Sequence, residues 1–366
     1  METISNGAVE TMENPEDIMM ENAELIQQMN NLDAIKEKED AFYSKKFYYS
    51  YSGLNKLLWN PQSFYLTYVL GIREERLDAH LVQGKLIHLL LLEPEKFKQE
   101  FMLTPSSIPT GNLREVIYRV FNHYTDLSNN GDPRTQLEEF EDAILDVMKD
   151  INYFQNLKTD RQRLDKVITA ETLSYWEFLK TKGNKTLVDP QTFKLCSTTV
   201  DIMKTNQDIC KLLGLNVSEF DDIHVFNEFE LSMDLPNTSY GIKGIIDNIV
   251  VNHDTQTIYI NDIKTSSKDL KSFPESIEYY SYWLQAIIYV IMVSKLYQTN
   301  LRNGYTLKFH FIVVDRYQQT YAFPVSENTL SSWLTRYEEV MKIADWHFVN
   351  KDYTLPYEFA RQLVSL

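Results

Sequence analysis

Hydrophobic and polar positions divide this chain into stretches of different period. Ordered structure is expected from about Tyr48. There SYSGLNKLLWNPQSFYLTYV predicts a short apolar helix with Ser52 as N-cap and a second helix opened by Pro61. Proline suits a first helical turn because its φ is preset and its missing N–H has no partner there anyway. LVQGKLIHLLLLEPEKF is apolar on nearly all sides and predicts a buried helix, with Gly84 and His88 four residues apart on one face. From about Ser106 to Gly214 the period is helical and the composition polar-rich, broken at NNGDP and KGNKTLVDP. LEEFEDAILDVMKDI and PQTFKLCSTTVDIMKTNQDICKLLG are its clearest helices. The period then shortens: HVFNEFELSM, GIIDNIVV and TIYINDIK read as strands, the last two joined through NHDTQ as a hairpin. A long amphipathic helix from Ile277 to Tyr297 follows. Strands KFHFIVV and TYAFPV then flank a turn at DRYQQ, and SENTLSSWLTRYEEVMKIADWHF reads as a capped amphipathic helix. This order predicts an α/β (α+β) protein, a mixed central sheet with helices packed on it and a helical insertion at about 106–214.

Composition narrows the classes. Hydrophobic residues at 43% and aromatics at 13% suffice for a packed core, which excludes global disorder. The apolar run AIIYVIMV is eight residues long, against the roughly 20 a membrane helix needs. The acidic N-terminus does not read as a signal peptide. Two cysteines, Cys196 and Cys210, allow neither a disulfide framework nor a four-thiolate cluster, so a reducing, cytoplasmic setting is expected. The net charge of −16 argues against a broad basic face for nucleic acid. Its distribution weakens that argument. Residues 1–40 hold eleven acids and two lysines, −9 of the total, leaving the body at −7. Residues 1–45 read as a mobile acidic arm, with a short helix near Ala23 to Met29, and 46–366 as the main domain.

The chemistry concentrates in the hairpin GIKGIIDNIVVNHDTQTIYINDIKTSS, Gly241 to Ser267. Asp247 and Asp262 fall on adjacent strands with fourteen residues between them. Two carboxylates brought together repel unless one is protonated or a cation lies between them. Mg²⁺ takes hard oxygen ligands, one or two carboxylates and several waters, and resolves the conflict. Lys264 is two residues beyond Asp262 and shares its face, while Ile263 turns its side chain to the other face and offers a carbonyl. Such a centre suits phosphodiester hydrolysis, the metal lowering the pKa of a bound water and Lys264 steadying hydroxide and phosphate. A lone acid in a strand is ordinarily an edge or ion-pair residue; the D-x14-D-x-K combination is harder to read that way. On the following helix Tyr282, Gln285 and Tyr289 share a face at i, i+3 and i+7. Tyrosines at this spacing also suit a core, but a buried amide needs partners. His88, in LIHLLLL, reads by itself as a core histidine, and imidazole suits Mn²⁺ better than Mg²⁺.

With those residues in view, the chain resembles the PD-(D/E)XK nucleases of the RecB-like exonuclease branch. IID and DIK resemble that branch's second and third motifs, QAIIY its Q-x-x-x-Y signature and GKLIH its G-x-x-x-H motif. SGLNKLLWNPQSF and LIHLLLLEPEKF resemble phage-type exodeoxyribonuclease VIII, the RecE-like enzymes, more specifically. The resemblance runs from about Tyr51 to the C-terminal helix, weakly through the insertion. It implies a restriction-endonuclease-like fold, a Mg²⁺ or Mn²⁺ centre held by His88, Asp247, Asp262 and the Ile263 carbonyl, and Lys264 as the catalytic lysine. Gln285, Tyr289 and Tyr282 would support the site or touch DNA, and Glu228 would stand behind the ligands. Ile246 replaces the family's proline, and the third-motif acid is Asp262 rather than glutamate.

The implied activity is a metal-dependent exonuclease resecting linear duplex DNA from 5′ to 3′, in the cytoplasm of a bacterial host. It would work as a homo-oligomeric ring beside a single-strand annealing partner. Only the channel of such a ring need be positive, and Lys243, Lys268 and Lys271 are candidates for it. The alternatives are an endonuclease on the same core and a non-catalytic DNA- or protein-binding protein on a nuclease scaffold.

Overall fold

The computed structural model describes residues 32–72, 79–105, 107–218 and 221–365. Most of the stretch read as an acidic arm, including the helix expected near Ala23 to Met29, lies outside them. The chain divides into two compact units, one made of the described residues up to Arg76 together with Gln207–Leu366 and the other of Leu77–Asn206.

The first unit begins earlier than the sequence suggested. Leu32–Tyr43 forms helix α1, and Phe42 and Tyr43 pack edge-on, ring centroids 4.9 Å apart, against the main core. Strand β1 (Phe47–Tyr49) leads into helix α2 (Tyr51–Trp59). Its cap is Ser50, whose hydroxyl accepts from the Gly53 N–H at 3.2 Å; Ser52, the expected cap, lies inside the helix. Pro61 opens helix α3 (Pro61–Phe64) as expected, with Asn60 capping Ser63, and one π-turn, Tyr65–Val69, follows.

The second unit holds helix α4 (Ala79–Leu92), strand β2 (Phe101–Leu103), helices α5 (Gly111–Asn129), α6 (Glu141–Asp150), α7 (Asp160–Val167) and α8 (Ala170–Lys182), strand β3 (Thr186–Val188) and helix α9 (Pro190–Thr205). β2 and β3 pair in parallel, a small sheet that the polar-rich pattern concealed. Its starts are locally encoded: Thr159 with Gln162 forms a capping box, and Asp189 accepts from Gln191 and Thr192 at 2.9 Å ahead of Pro190. Val116, Val120, Phe140, Ile144, Met148 and Trp176 form its core.

Back in the first unit come helix α10 (Gln207–Leu213), strands β4 (Ile223–Asp234), β5 (Tyr240–Asn252) and β6 (Thr257–Thr265), helices α11 (Phe273–Tyr279) and α12 (Tyr282–Leu296), strands β7 (Thr306–Val314) and β8 (Thr320–Val325), and helix α13 (Glu327–Asn350). The single helix expected over Ile277–Tyr297 is two. Ser281 takes a left-handed φ of 55°, which separates α11 from α12. The helix expected over PQTFKLCSTTVDIMKTNQDICKLLG also breaks, at Asn206, whose ψ of 105° is not helical.

The sheet is mixed. Its order is β1-β5-β6-β7-β8, with β4 on the other edge of β5. β1–β5 and β6–β7 are parallel; β4–β5, β5–β6 and β7–β8 are antiparallel. Pro324 sits on the edge strand β8, where its missing N–H breaks no ladder bond. Helices flank the sheet as expected of a restriction-endonuclease-like fold, with α12 against β4 to β7 and α10 against β5, β6 and β8.

α10 is held by an asparagine ladder. Asn227, Asn248 and Asn261 stand in register across β4, β5 and β6. Asn248 donates to Asn227 at 2.8 Å, and Asn261 to Asn248 at 2.7 Å. The same amides reach the Leu213 and Leu212 carbonyls at 3.2 and 2.8 Å, satisfying acceptors the helix end leaves open. His310 continues this row on β7. Burial first, then the Lys308 charge, lowers its imidazole to about 4 from the ordinary 6.5. The unfolded chain therefore binds a proton that the folded one refuses, so stability falls as pH drops through 6.5 and this contribution ends near 4. His310→Phe is expected to flatten that part of the pH profile, read as urea midpoints for both proteins across the same range.

Candidate active site

The hairpin β5–β6 departs from ideal alternation at its acids. Ile242, Ile246, Ile249 and Val251 all enter one apolar core, so the inward period slips by one residue between 246 and 249. β4 slips at the same level, with Phe226 on one side and Phe229, Leu231 and Met233 on the other. The slip falls on Glu228 and Asp247, the two residues missing from an otherwise continuous β4–β5 register. Glu228 has a left-handed φ of 45°, an uncommon and costly state for a side chain of this kind.

A fork coincides with the slip. β4 lines one edge of β5, so the other is shared by β1, at residues 240–242, and β6, at residues 248–252. Residues 243–247 have no strand partner on that edge. Side chains replace the ladder: the Ile263 N–H donates to Asp247 Oδ2 at 2.7 Å, and the Tyr289 hydroxyl donates to the Ile245 carbonyl at 2.5 Å. Asp247 and Asp262 occupy the opposed positions one step past the last pair, Asn248 with Asn261. Glu228 stands across from Asp247 on β4, and a carboxylate oxygen of each lies within 4.8 Å of the other. Three acids thus form one row over three strands. Asp247 is buried and Asp262 completely so, and the Ile263 side chain enters the core.

Lys264 supplies the counter-charge. Its Nζ lies 2.7 Å from Asp262 Oδ2 and 4.7 Å from the centre of the Tyr282 ring. Desolvation works against its charge, but the Asp262 and Asp247 carboxylates outweigh it, and the ammonium titrates above its ordinary 10.5. A one-way relay then leads to the fork: Lys264 donates to Gln285 Oε1 at 2.9 Å, Gln285 Nε2 to the Tyr289 hydroxyl at 2.8 Å, and Tyr289 to Ile245. Burial, then Asp247 and Asp262, push the Tyr289 phenol well up, so it remains a donor. The face Tyr282–Gln285–Tyr289 read from spacing is therefore brought to the acids.

Sequence reasoning missed several neighbours. Parallel pairing of β1 with β5 brings in Tyr51, whose hydroxyl donates to the Tyr280 carbonyl, and whose pKa is raised by burial, then by Tyr282 and Asp262. Ser50, Ser52 and Glu230 line a groove of about 600 Å³ that also takes in Gln285, Tyr289 and Lys243, the last already a channel candidate from the sequence. Nothing local marks these residues, since the pairing joins segments almost two hundred positions apart. Lys268 and Lys271 are exposed, and His88 is half-buried on α4 of the second unit.

A model of the PD-(D/E)XK nuclease superfamily matches residues 48–354. The chain belongs to that superfamily. Membership implies a divalent-metal nuclease acting on DNA. Among solved structures, one described as "Putative exonuclease" from Eubacterium rectale is similar at 14% identity, covering 92% of this chain and 93% of its own, with a TM-score of 0.42. No curated protein matches. Among the described residues no helix is long and apolar enough to cross a membrane.

The donor set fits the superfamily's metal. Carboxylates of Asp247, Asp262 and Glu228 and the Ile263 carbonyl are hard oxygens of the kind Mg²⁺ and Mn²⁺ take. Gly244 keeps the relay in place: a Cβ there would lie 2.7 Å from Tyr289 Cε1 and 3.1 Å from Met292 Cε. Gly244→Ala is expected to displace Tyr289 and lower stability by about 1–3 kcal/mol, measured by urea denaturation.

Proposed function

We propose that this protein is a Mg²⁺- or Mn²⁺-dependent exonuclease that resects linear duplex DNA from 5′ to 3′. The observation that carries the nuclease chemistry is the acid row with Lys264 bound to Asp262 and tied through Gln285 and Tyr289 to the unpaired edge of β5. Asp247, Asp262 and the Ile263 carbonyl hold the metal, with Glu228 beside them; the resemblance of GKLIH to the G-x-x-x-H motif adds His88. When bound, the metal supplies a water of lowered pKa and neutralises charge growing on the attacked phosphate. Lys264, kept protonated by the acids, orients that water and donates to the phosphate oxygens. Tyr282 holds the lysine from its other side, and Ser50, Ser52 and Lys243 line the groove where a DNA strand lies.

Exonuclease action, 5′ to 3′ polarity, a homo-oligomeric ring and an annealing partner rest on the resemblance of SGLNKLLWNPQSF and LIHLLLLEPEKF to RecE-like enzymes. End-labelled linear duplex and covalently closed circles, each with Mg²⁺ or Mn²⁺, test the proposal. Linear DNA is expected to disappear with 5′ label lost first and circles intact, and Asp262→Ala and Lys264→Ala to slow this by about 100-fold or more. Cutting of circles would replace the exonuclease with an endonuclease, and wild type inert with both metals would overturn the catalytic reading.

A further inference from the structure

A second cluster of ligand-bearing side chains lies at the far end of the same hairpin. Asp222 precedes β4, His224 is its second residue and lies opposite Val251, and His253 follows the last residue of β5. One ligand atom from each lies within 4.8 Å of the other two. From Asp247 to His253 the chain advances six residues, about 20 Å at roughly 3.3 Å per residue, so the cluster is separate from the acid row.

Its geometry is held from three directions. The His253 N–H donates to the Asp222 carbonyl at 2.9 Å, which fixes the backbone of one candidate ligand against another. The two imidazoles meet edge to face with centroids 5.0 Å apart and planes at 76°. His253 Nδ1 lies 2.6 Å from the Tyr305 hydroxyl, brought in from just before β7. A hydrogen bond at Nδ1 orients the ring and leaves Nε2 as the ligating nitrogen, the arrangement by which a second partner commonly prepares a metal-binding histidine.

We propose that Asp222, His224 and His253 bind a first-row transition ion of the Zn²⁺, Co²⁺ or Ni²⁺ type, with water completing the coordination. Two imidazoles and one carboxylate suit such an ion and disfavour Mg²⁺. Tetrahedral bonds of 2.0–2.2 Å place ligand atoms roughly 3.4 Å apart. Small side-chain rotations close the difference, and Asp222 and His224 are exposed and able to make them. The ion clips the start of β4 to the turn after β5, so it stabilises the folded chain whenever its concentration exceeds the dissociation constant.

The test uses the full chain without a histidine tag, stripped with EDTA, and titrated with ZnCl₂ by calorimetry and with CoCl₂ by visible absorption. With excess Mg²⁺ present to fill the acid row, wild type and Asp262→Asn are both expected to bind one Zn²⁺ at micromolar concentration, to show a Co²⁺ d–d band and to melt at higher temperature with Zn²⁺. His224→Gln and His253→Gln are expected to bind at least tenfold more weakly while still melting in one cooperative step in EDTA, which shows that they fold. Zn²⁺ binding as tight in both histidine variants as in wild type would overturn the proposal. So would its loss in Asp262→Asn, or its absence from wild type.

Discussion

The structure depends on where the β4–β5 ladder slips. An extended strand presents one face at every second residue, and a buried sheet face allows no exception without a local break. Here the break is shared by two strands at one level, at Glu228 and Asp247, and it coincides with the fork where β1 and β6 divide the edge of β5. Because the ladder stops there, one backbone N–H and one carbonyl are open to side chains. Asp247 takes the first and Tyr289 answers the second. The fork thereby gives α12 a polar anchor, the Ile245 carbonyl, on which Tyr289 and, through it, Gln285 are held.

The same break concentrates charge. Three carboxylates share a row over adjacent strands, and Lys264 is the cation placed on Asp262. Burial makes the ammonium harder to keep and the acids make it harder to lose; the acids win. Carboxylates gathered this closely repel one another, and a divalent cation bound among their oxygens would relieve that repulsion. This is the trade expected of a site: a strained φ and crowded like charges retained because the surrounding sheet and helices overrule them.

Much of this was legible in the sequence. Strand periodicity located β4 to β8, the x14 spacing placed Asp247 and Asp262 on neighbouring strands, and helical spacing aligned Tyr282, Gln285 and Tyr289. What escaped has physical reasons. Strand periodicity does not encode a phase slip, since IIDNIVV reads as one apolar strand until its partner is known. Ser281 breaks a continuous amphipathic pattern through a single left-handed residue that propensity does not reveal. Ser50 displaced Ser52 as cap because two serines two apart offer the same signal. The asparagine ladder and Tyr51 depend on pairings between distant segments.

The most direct measurement compares thermal melting of wild type and Asp247→Asn, each in EDTA and in excess Mg²⁺. Asparagine keeps an oxygen for the Ile263 N–H while removing one charge from the row. If the row is an oxygen cradle strained by like charge, Asp247→Asn melts at or above wild type in EDTA, and only wild type gains stability with Mg²⁺. Asp247→Asn melting lower in EDTA and responding to Mg²⁺ as strongly as wild type would contradict the account.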